Sequence, residues 1–97
     1  MTALTVQHQT RPEGGAFVLM GDRPLGEMHY HRDGPKLVTL DHTRVDDSLR
    51  GQGAGRKLLD AAVAWARESQ TRFHVTCPYA KGQFEKDATI RDVLAPR

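Results

Sequence analysis

The 97-residue chain, 38% hydrophobic and 27% charged, has the balance of one small globular domain spanning residues 1–97, neither disordered nor fibrous. Its apolar runs fall short of the ~18 residues of a membrane helix and its start lacks a signal-peptide pattern, so a cytoplasmic protein with no membrane attachment is expected. The one cysteine, Cys77, excludes an intrachain disulfide and speaks for no zinc site. The net charge of +2 is unevenly spread: residues 49–97 carry nine basic and five acidic side chains, residues 1–48 five basic and seven acidic. That points to an anionic ligand in the second half; with 6% aromatic residues and no dense Arg/Lys stripe, nucleic acid is the weaker explanation.

In chain order, Leu4 to His8 alternates apolar and polar and reads as a first strand at a sheet edge. Arg11-Pro12-Glu13-Gly14-Gly15 is turn chemistry, and Ala16 to Met20 is a short apolar strand. A turn at Gly21-Asp22-Arg23-Pro24 leads to a third strand, Leu25 to His31, with Met28 and Tyr30 on one face. Arg32-Asp33-Gly34-Pro35 turns again, and Lys36 to Val45 is a longer fourth strand. Four strands joined by tight turns predict an antiparallel meander. From Gly55 to about Ser69, Leu58, Leu59, Ala62, Val63 and Ala66 form one apolar helical stripe, with Trp65 at its edge. Arg72 to Cys77 alternates as a fifth strand that stops at Pro78. Strand, helix and strand in succession imply a right-handed crossover, hence parallel fourth and fifth strands in an α+β fold. A second helix is predicted over 79–87 with Phe84 inward, followed by a short turn docked by Ile90, Val93 and Leu94.

Between the fourth strand and the first helix lies Arg50-Gly51-Gln52-Gly53-Ala54-Gly55. Glycines at alternate positions let the backbone turn tightly and approach a ligand. The helix that follows offers unpaired N–H groups and the positive end of its dipole, a ready site for phosphate, with Arg50, Arg56 and Lys57 adding charge. It is not a P-loop, because Arg56-Lys57-Leu58 follows Gly55 where a Lys and a magnesium-binding hydroxyl are needed. It is not a dinucleotide loop either, because the third glycine is replaced by Arg56 and four meander strands precede it.

Arg50-x-x-Gly53-x-Gly55, after a strand and opening a helix, resembles the Gln/Arg-x-x-Gly-x-Gly/Ala pyrophosphate loop of the GNAT acetyltransferases. Asp41-His42-Thr43-x-Val45 and Thr76-Cys77-Pro78-Tyr79-Ala80 resemble a family of minimal GNAT-like N-acetyltransferase domain proteins of about this length. These carry His-Thr-x-Val before the loop and Cys-Pro-Tyr after the fifth strand. The resemblance covers about residues 16–94. It implies a GNAT-like fold with acetyl-CoA as cosubstrate, its pyrophosphate on the loop and its pantetheine arm between splayed fourth and fifth strands. The cofactor-binding positions it implies are Val45, Arg50, Gly51, Gln52, Gly53, Ala54, Gly55 and Arg56, with no metal. One departure stands out: Phe84 keeps an aromatic position of the family, but Asp87-Ala88 stands where His-Pro is usual.

Acetyl transfer to an amine needs a polarised carbonyl, a proton taken from the amine and a proton given to the leaving thiolate. Histidine titrates near neutral pH, so His42 on the fourth strand is the candidate base; the alternative is a histidine bonded into the sheet or exposed. Cys77 is a candidate acyl acceptor or acid, the former activated by His42 if the two side chains meet across the strand gap. The alternative is a small buried hydrophobe on the strand face of Phe73 and Val75, lining the acyl pocket. Tyr79 is the second candidate acid, or else packs on the C-terminal helix. His29, His31 and His74 are read as exposed sheet residues, and Arg67 and Arg72 as solvated. The expected function is an N-acetyltransferase acting on an unidentified amine, small or macromolecular. The alternative is a coenzyme A or acyl-CoA binding module with little transferase activity, since segments that shape the acceptor site in GNAT enzymes are missing. A monomer or weak homodimer is expected.

Overall fold

The computed structural model describes residues 4–49 and 51–96. Five strands, β1 (Thr5–Arg11), β2 (Gly14–Met20), β3 (Pro24–Gly34), β4 (Leu37–Val45) and β5 (Arg72–Val75), form one sheet in sequence order. The first four pair antiparallel and β5 joins β4 in parallel. Helix α1 (Ala54–Ser69) makes the crossover between β4 and β5, and helix α2 (Pro78–Lys86) follows β5. Short 3-10 helices at Asp47–Leu49 and Ala88–Val93 complete the chain. The α+β meander with parallel last strands matches the sequence reading, and β1 is indeed an edge.

Helix α1 buries Ala54, Leu58, Leu59, Ala62, Val63 and Ala66, a stripe at i, i+4, i+5, i+8, i+9 and i+12. The stripe packs with Phe17, Leu19, Met28, Tyr30, Val38 and Leu40 of the sheet in one core. Each fully buried Leu there contributes roughly 1.5–3 kcal/mol, so this face holds the crossover in place. Trp65 completes an aromatic group, with Tyr30 stacked at 5.3 Å and the His8 ring edge-on at 4.8 Å. Burial pushes His8 below the ordinary histidine value, Arg32 adding to the effect, and its Nε2 pairs with the Tyr30 hydroxyl at 2.6 Å. The opposite sheet face is mostly polar, with Gln7, Glu27, His29, His31, His42 and Arg44 exposed or half-buried around the buried Ala16 and Val18.

Two irregularities shape the region between β4 and β5. The register runs Tyr30↔Leu40 and then His29↔His42, so Asp41 is an extra residue in β4. Such a bulge re-aims the side chains that follow it: Thr43, opposite the buried Met28, comes onto the α1 face, and His42, opposite His29, goes to the other. The last pair of the parallel ladder is Leu40↔Val75, while β4 continues to Val45. β5 therefore ends two residues earlier than predicted. The reason is local, because the N–H groups of Thr76 and Cys77 both donate to the Leu40 carbonyl at 3.0 and 3.1 Å. Pro78 then starts α2 at a position where a missing N–H costs nothing. Beyond that point the strands part.

At the C-terminus, Leu94 bridges to Phe73 in parallel and the Ala95 N–H donates to the Phe73 carbonyl at 2.8 Å. Arg67 is not simply solvated: it donates to both Asp92 oxygens and to the Thr89 carbonyl, tying the last 3-10 helix to α1.

Candidate active site

Asp46 begins the connection by accepting the Ser48 N–H at 2.9 Å. That bond, with a further pull from Arg23, holds its carboxyl at about 2. After the 3-10 helix, Gly51 and Gly53 have φ of 80° and 72° with nothing within 4 Å of an added Cβ. Their reason is backbone conformation, the left-handed region that strains other residues. The first helical bond runs from Lys57 N–H to the Gly53 carbonyl at 3.1 Å, so the N–H groups of the first turn of α1 have no intrahelical acceptor. Together with the helix dipole they make an anion-binding end. Gln52 turns inward to the chain instead, its N–H on the Leu49 carbonyl and its amide on the Ser48 carbonyl. Arg50 lies outside the described residues.

Gly55 is glycine for a different reason. A Cβ there would stand 2.9, 3.0 and 3.1 Å from the Cζ, Cε2 and Oη of Tyr79. The missing side chain is the seat of a phenol ring. Tyr79 is 37% exposed, and partial burial pushes its hydroxyl above the ordinary tyrosine value despite an opposing effect of Arg56. With Thr43, Val45, Leu49 and the loop glycines it lines a groove of about 350 Å³ where β4 has parted from β5. A larger cavity, about 470 Å³, lies beside Phe84, Arg91 and Leu94 and shares no residue with the loop.

Cys77 caps α2 and is buried, 2% exposed. It does not share a β5 face with Phe73 and Val75, being beyond the end of that strand. Nor does it meet His42. The partner of its Sγ is the Thr43 hydroxyl at 2.9 Å, and Thr43 stands between the thiol and the groove. His42 is exposed on the other side of β4, its ring 6.0 Å from that of His29. His29 pairs with Glu27, and His31 with Asp41 and Asp33. The Asp41 bond raises His31 above its ordinary value, with Asp33 adding to the effect. Among the described residues no group of three or more His, Cys, Asp or Glu is placed to hold a metal ion.

Arg56 keeps its backbone in the first turn of α1 but sends its side chain elsewhere. Nε donates to Asp60 at 2.8 Å, Nη1 to Gln83 at 3.0 Å and Nη2 to Asp87 at 2.5 Å. Its charge is thus matched by two carboxylates, and Lys57 is the exposed described cation beside the loop. Of the residues singled out from the sequence, Val45, Gly51, Gly53, Ala54, Gly55 and Tyr79 line one groove. Thr43, which lines the groove, and Asp87, which binds Arg56, had no site role in the sequence reading. Thr43 had a signal, since it lies two residues before Val45 and so shares its strand face.

Comparisons with known proteins agree with this geometry. The GCN5-related N-acetyl-transferase family matches residues 16–93. Protein NATD1 of Bos taurus is 34% identical over 91 residues, covering 94% of this chain and 80% of its own. The NMR structure of a GCN5-like protein from Staphylococcus aureus superimposes with a TM-score of 0.69 at 31% identity, covering 94% of this chain and 89% of that one. An aminoglycoside acetyltransferase, AAC(6')-Iy, in complex with a bisubstrate analogue containing coenzyme A, shares the fold with a TM-score of 0.55 at 17% identity, over 82% of this chain and 62% of that one.

Proposed function

The chain belongs to the GCN5-related N-acetyltransferases, and on that premise we propose that it binds acetyl-CoA along the loop and groove and transfers the acetyl group to an amine. The observation that carries this is the parting of β4 from β5 after Leu40 and Val75, with the N-terminus of α1 at one end of the opening and Tyr79 beside it. The backbone at Gly51, Gly53, Ala54 and Gly55, with the N–H of Arg56, holds the pyrophosphate, and Gln52 borders it. The open space around Gly51 and Gly53 fits that role, since nothing crowds an approaching oxyanion. Val45 and Thr43 flank the pantetheine arm. When bound, the thioester supplies the activated acyl group. The coenzyme A complex of the distant aminoglycoside enzyme supports the same ligand here.

Two side chains then serve the protons from opposite faces of β4. Tyr79, on the α1 side, gives its Oη proton to the sulfur as the C–S bond breaks. His42, on the open side, takes the proton the amine loses as its nitrogen bonds to the carbonyl carbon. Cys77 supports the groove wall through Thr43. Among the described residues the buried side chains of α1 and α2 join the core on the α1 face of the sheet, and His42 on the opposite face is exposed, which favours an amine on an extended or macromolecular acceptor. The same openness favours the second reading, a coenzyme A-binding module of low transfer activity.

Thermal melting with acetyl-CoA tests the ligand. A ligand at 100 times its Kd stabilises by about 2.7 kcal/mol. For a chain of this size that means a rise of roughly 10–20 °C. No rise at millimolar acetyl-CoA refutes both readings. If the melting point rises, Tyr79→Phe separates them: a transferase loses about 10²-fold or more in kcat, and a binding module has no turnover to lose.

A further inference from the structure

Helix α2 has nine residues, of which only Ala80 and Phe84 are buried. Two apolar contacts one turn apart locate a short helix but leave it free to rock, so other ties must fix its angle. One is the Tyr79 ring on Gly55 at the start of α2. At its end, Gln83 Oε1 and Asp87 Oδ2 accept from the two terminal nitrogens of Arg56 at 3.0 and 2.5 Å, and Arg91 donates to the Phe84 and Glu85 carbonyls at 2.7 and 2.5 Å; of these ties those from Arg56 are the ones that reach the first turn of α1. The remaining Asp87 oxygen accepts from the N–H and hydroxyl of Thr89 at 2.9 and 2.5 Å, so the carboxylate is held from two sides. Asp60 fixes Arg56 from one turn further along α1. Gly55, which seats the ring, and Arg56, which holds the far end, are consecutive residues.

We propose that Asp87 is a positioning residue of the transfer reaction: through Arg56 it locks α2 against the first turn of α1 and so sets where the Tyr79 hydroxyl stands in the groove. This rests on the reading of Tyr79 as the acid. Tyr79 and Asp87 are ~12 Å apart along the helix at 1.5 Å per residue. Losing the Asp87 tie leaves the far end held by Arg91 on the Phe84 and Glu85 carbonyls but no longer keyed to the first turn of α1, and a displacement of ~1 Å at a reacting group costs up to about 10²-fold in rate. Asp87 thus makes Arg56 a structural brace between the two helices.

Three measurements test this. Asp87→Ala is expected to lower kcat about tenfold while coenzyme A affinity by calorimetry changes by less than about twofold, with Asp87→Glu recovering part of the loss. In a Tyr79→Phe background the same Asp87→Ala change is expected to cost nothing further, because its effect passes through the hydroxyl. An equal loss of kcat in both backgrounds, or no loss in the first, overturns the proposal. The third readout needs no turnover. The Tyr79 ring over Gly55 should shift the Gly55 α-protons upfield in the NMR spectrum, and Asp87→Ala should move them back toward ordinary glycine values. If the wild-type chain shows no transferase activity, the acid role of Tyr79 falls, and the Gly55 shift alone decides whether the brace exists. Unmoved α-protons overturn it.

Discussion

Gly55→Ala separates the stability of this protein from its chemistry. In the first turn of α1, alanine is favoured over glycine by about 1 kcal/mol through helix propensity alone. Against that, the new methyl would lie 2.9 Å from Tyr79 Cζ, whereas ordinary contacts fall at 3.4–4 Å. The ring must therefore retreat by about 0.5–1 Å, a misplacement that costs up to about 10²-fold where it moves a reacting group. The retreat is cheap in stability, because the crowded atoms are the far end of a side chain already 37% exposed. The expected outcome is a melting point within about 4–8 °C of wild type, equivalent to ~1 kcal/mol, with kcat reduced by about 10²-fold. Tyr79→Ala removes the obstacle, so adding Gly55→Ala in that background should raise stability by about 1 kcal/mol. Differential scanning calorimetry and a thiol-release assay read the two effects. Wild-type kcat in Gly55→Ala, or no stability gain when the ring is absent, would refute the assignment of Gly55 as the seat of the ring.

The neighbouring glycines respond in another way. Gly53→Ala meets no atom within 4 Å but forces a Cβ at φ 72°, so it should cost about 1–2 kcal/mol in urea melts and Gly53→Asn clearly less. Thr43→Val removes the hydrogen-bond partner of the buried Cys77 thiol and should cost about 1 kcal/mol, while Cys77→Ser, which keeps that bond, should keep turnover. Iodoacetamide should label Cys77 only as fast as the protein opens, rising steeply with urea; rapid labelling of the folded chain would contradict its burial. Asp87 has a folded value of about 2, below the ordinary 3.8, chiefly through its bond from Arg56. A depressed carboxylate contributes stability that is complete above its unfolded value and disappears as pH falls through the folded one. The stability difference between wild type and Asp87→Asn should accordingly be flat above about pH 5 and shrink between about pH 4 and 2.

Much of the fold was legible because its local signals agree. The predicted turns carry Gly, Pro and Asp and mark the breaks, although the strands run further into them and leave only residues 12–13, 21–23 and 35–36 outside the sheet; Leu58, Leu59, Ala62, Val63 and Ala66 mark one helix face that has only one sheet to cover. The element bounds shifted where hydrogen bonding, not composition, sets them. Arg72 to Cys77 alternates as a strand should, but Leu40 offers its carbonyl to both Thr76 and Cys77, and the chain leaves the ladder there.

The site was legible in its backbone and less so in its side chains, for one reason in particular. From Val38 and Leu40, both buried, strict alternation carries His42 onto the core face and Thr43 away from it. Asp41 breaks that count: as an extra residue opposite β3 it turns Thr43 and Val45 toward α1 and His42 to the open side. No residue type at 38–45 announces such a bulge, since Asp41 is neither glycine nor proline. The consequence is chemical. Without the bulge, an imidazole would share the groove with Cys77, the arrangement for an activated thiol. With it, the thiol rests on a threonine hydroxyl, the imidazole faces open water, and the parted strands leave a gap between them. A reaction that needs an acid on one side of a thioester carbonyl and a base on the other suits that division better than covalent relay through a buried sulfur does.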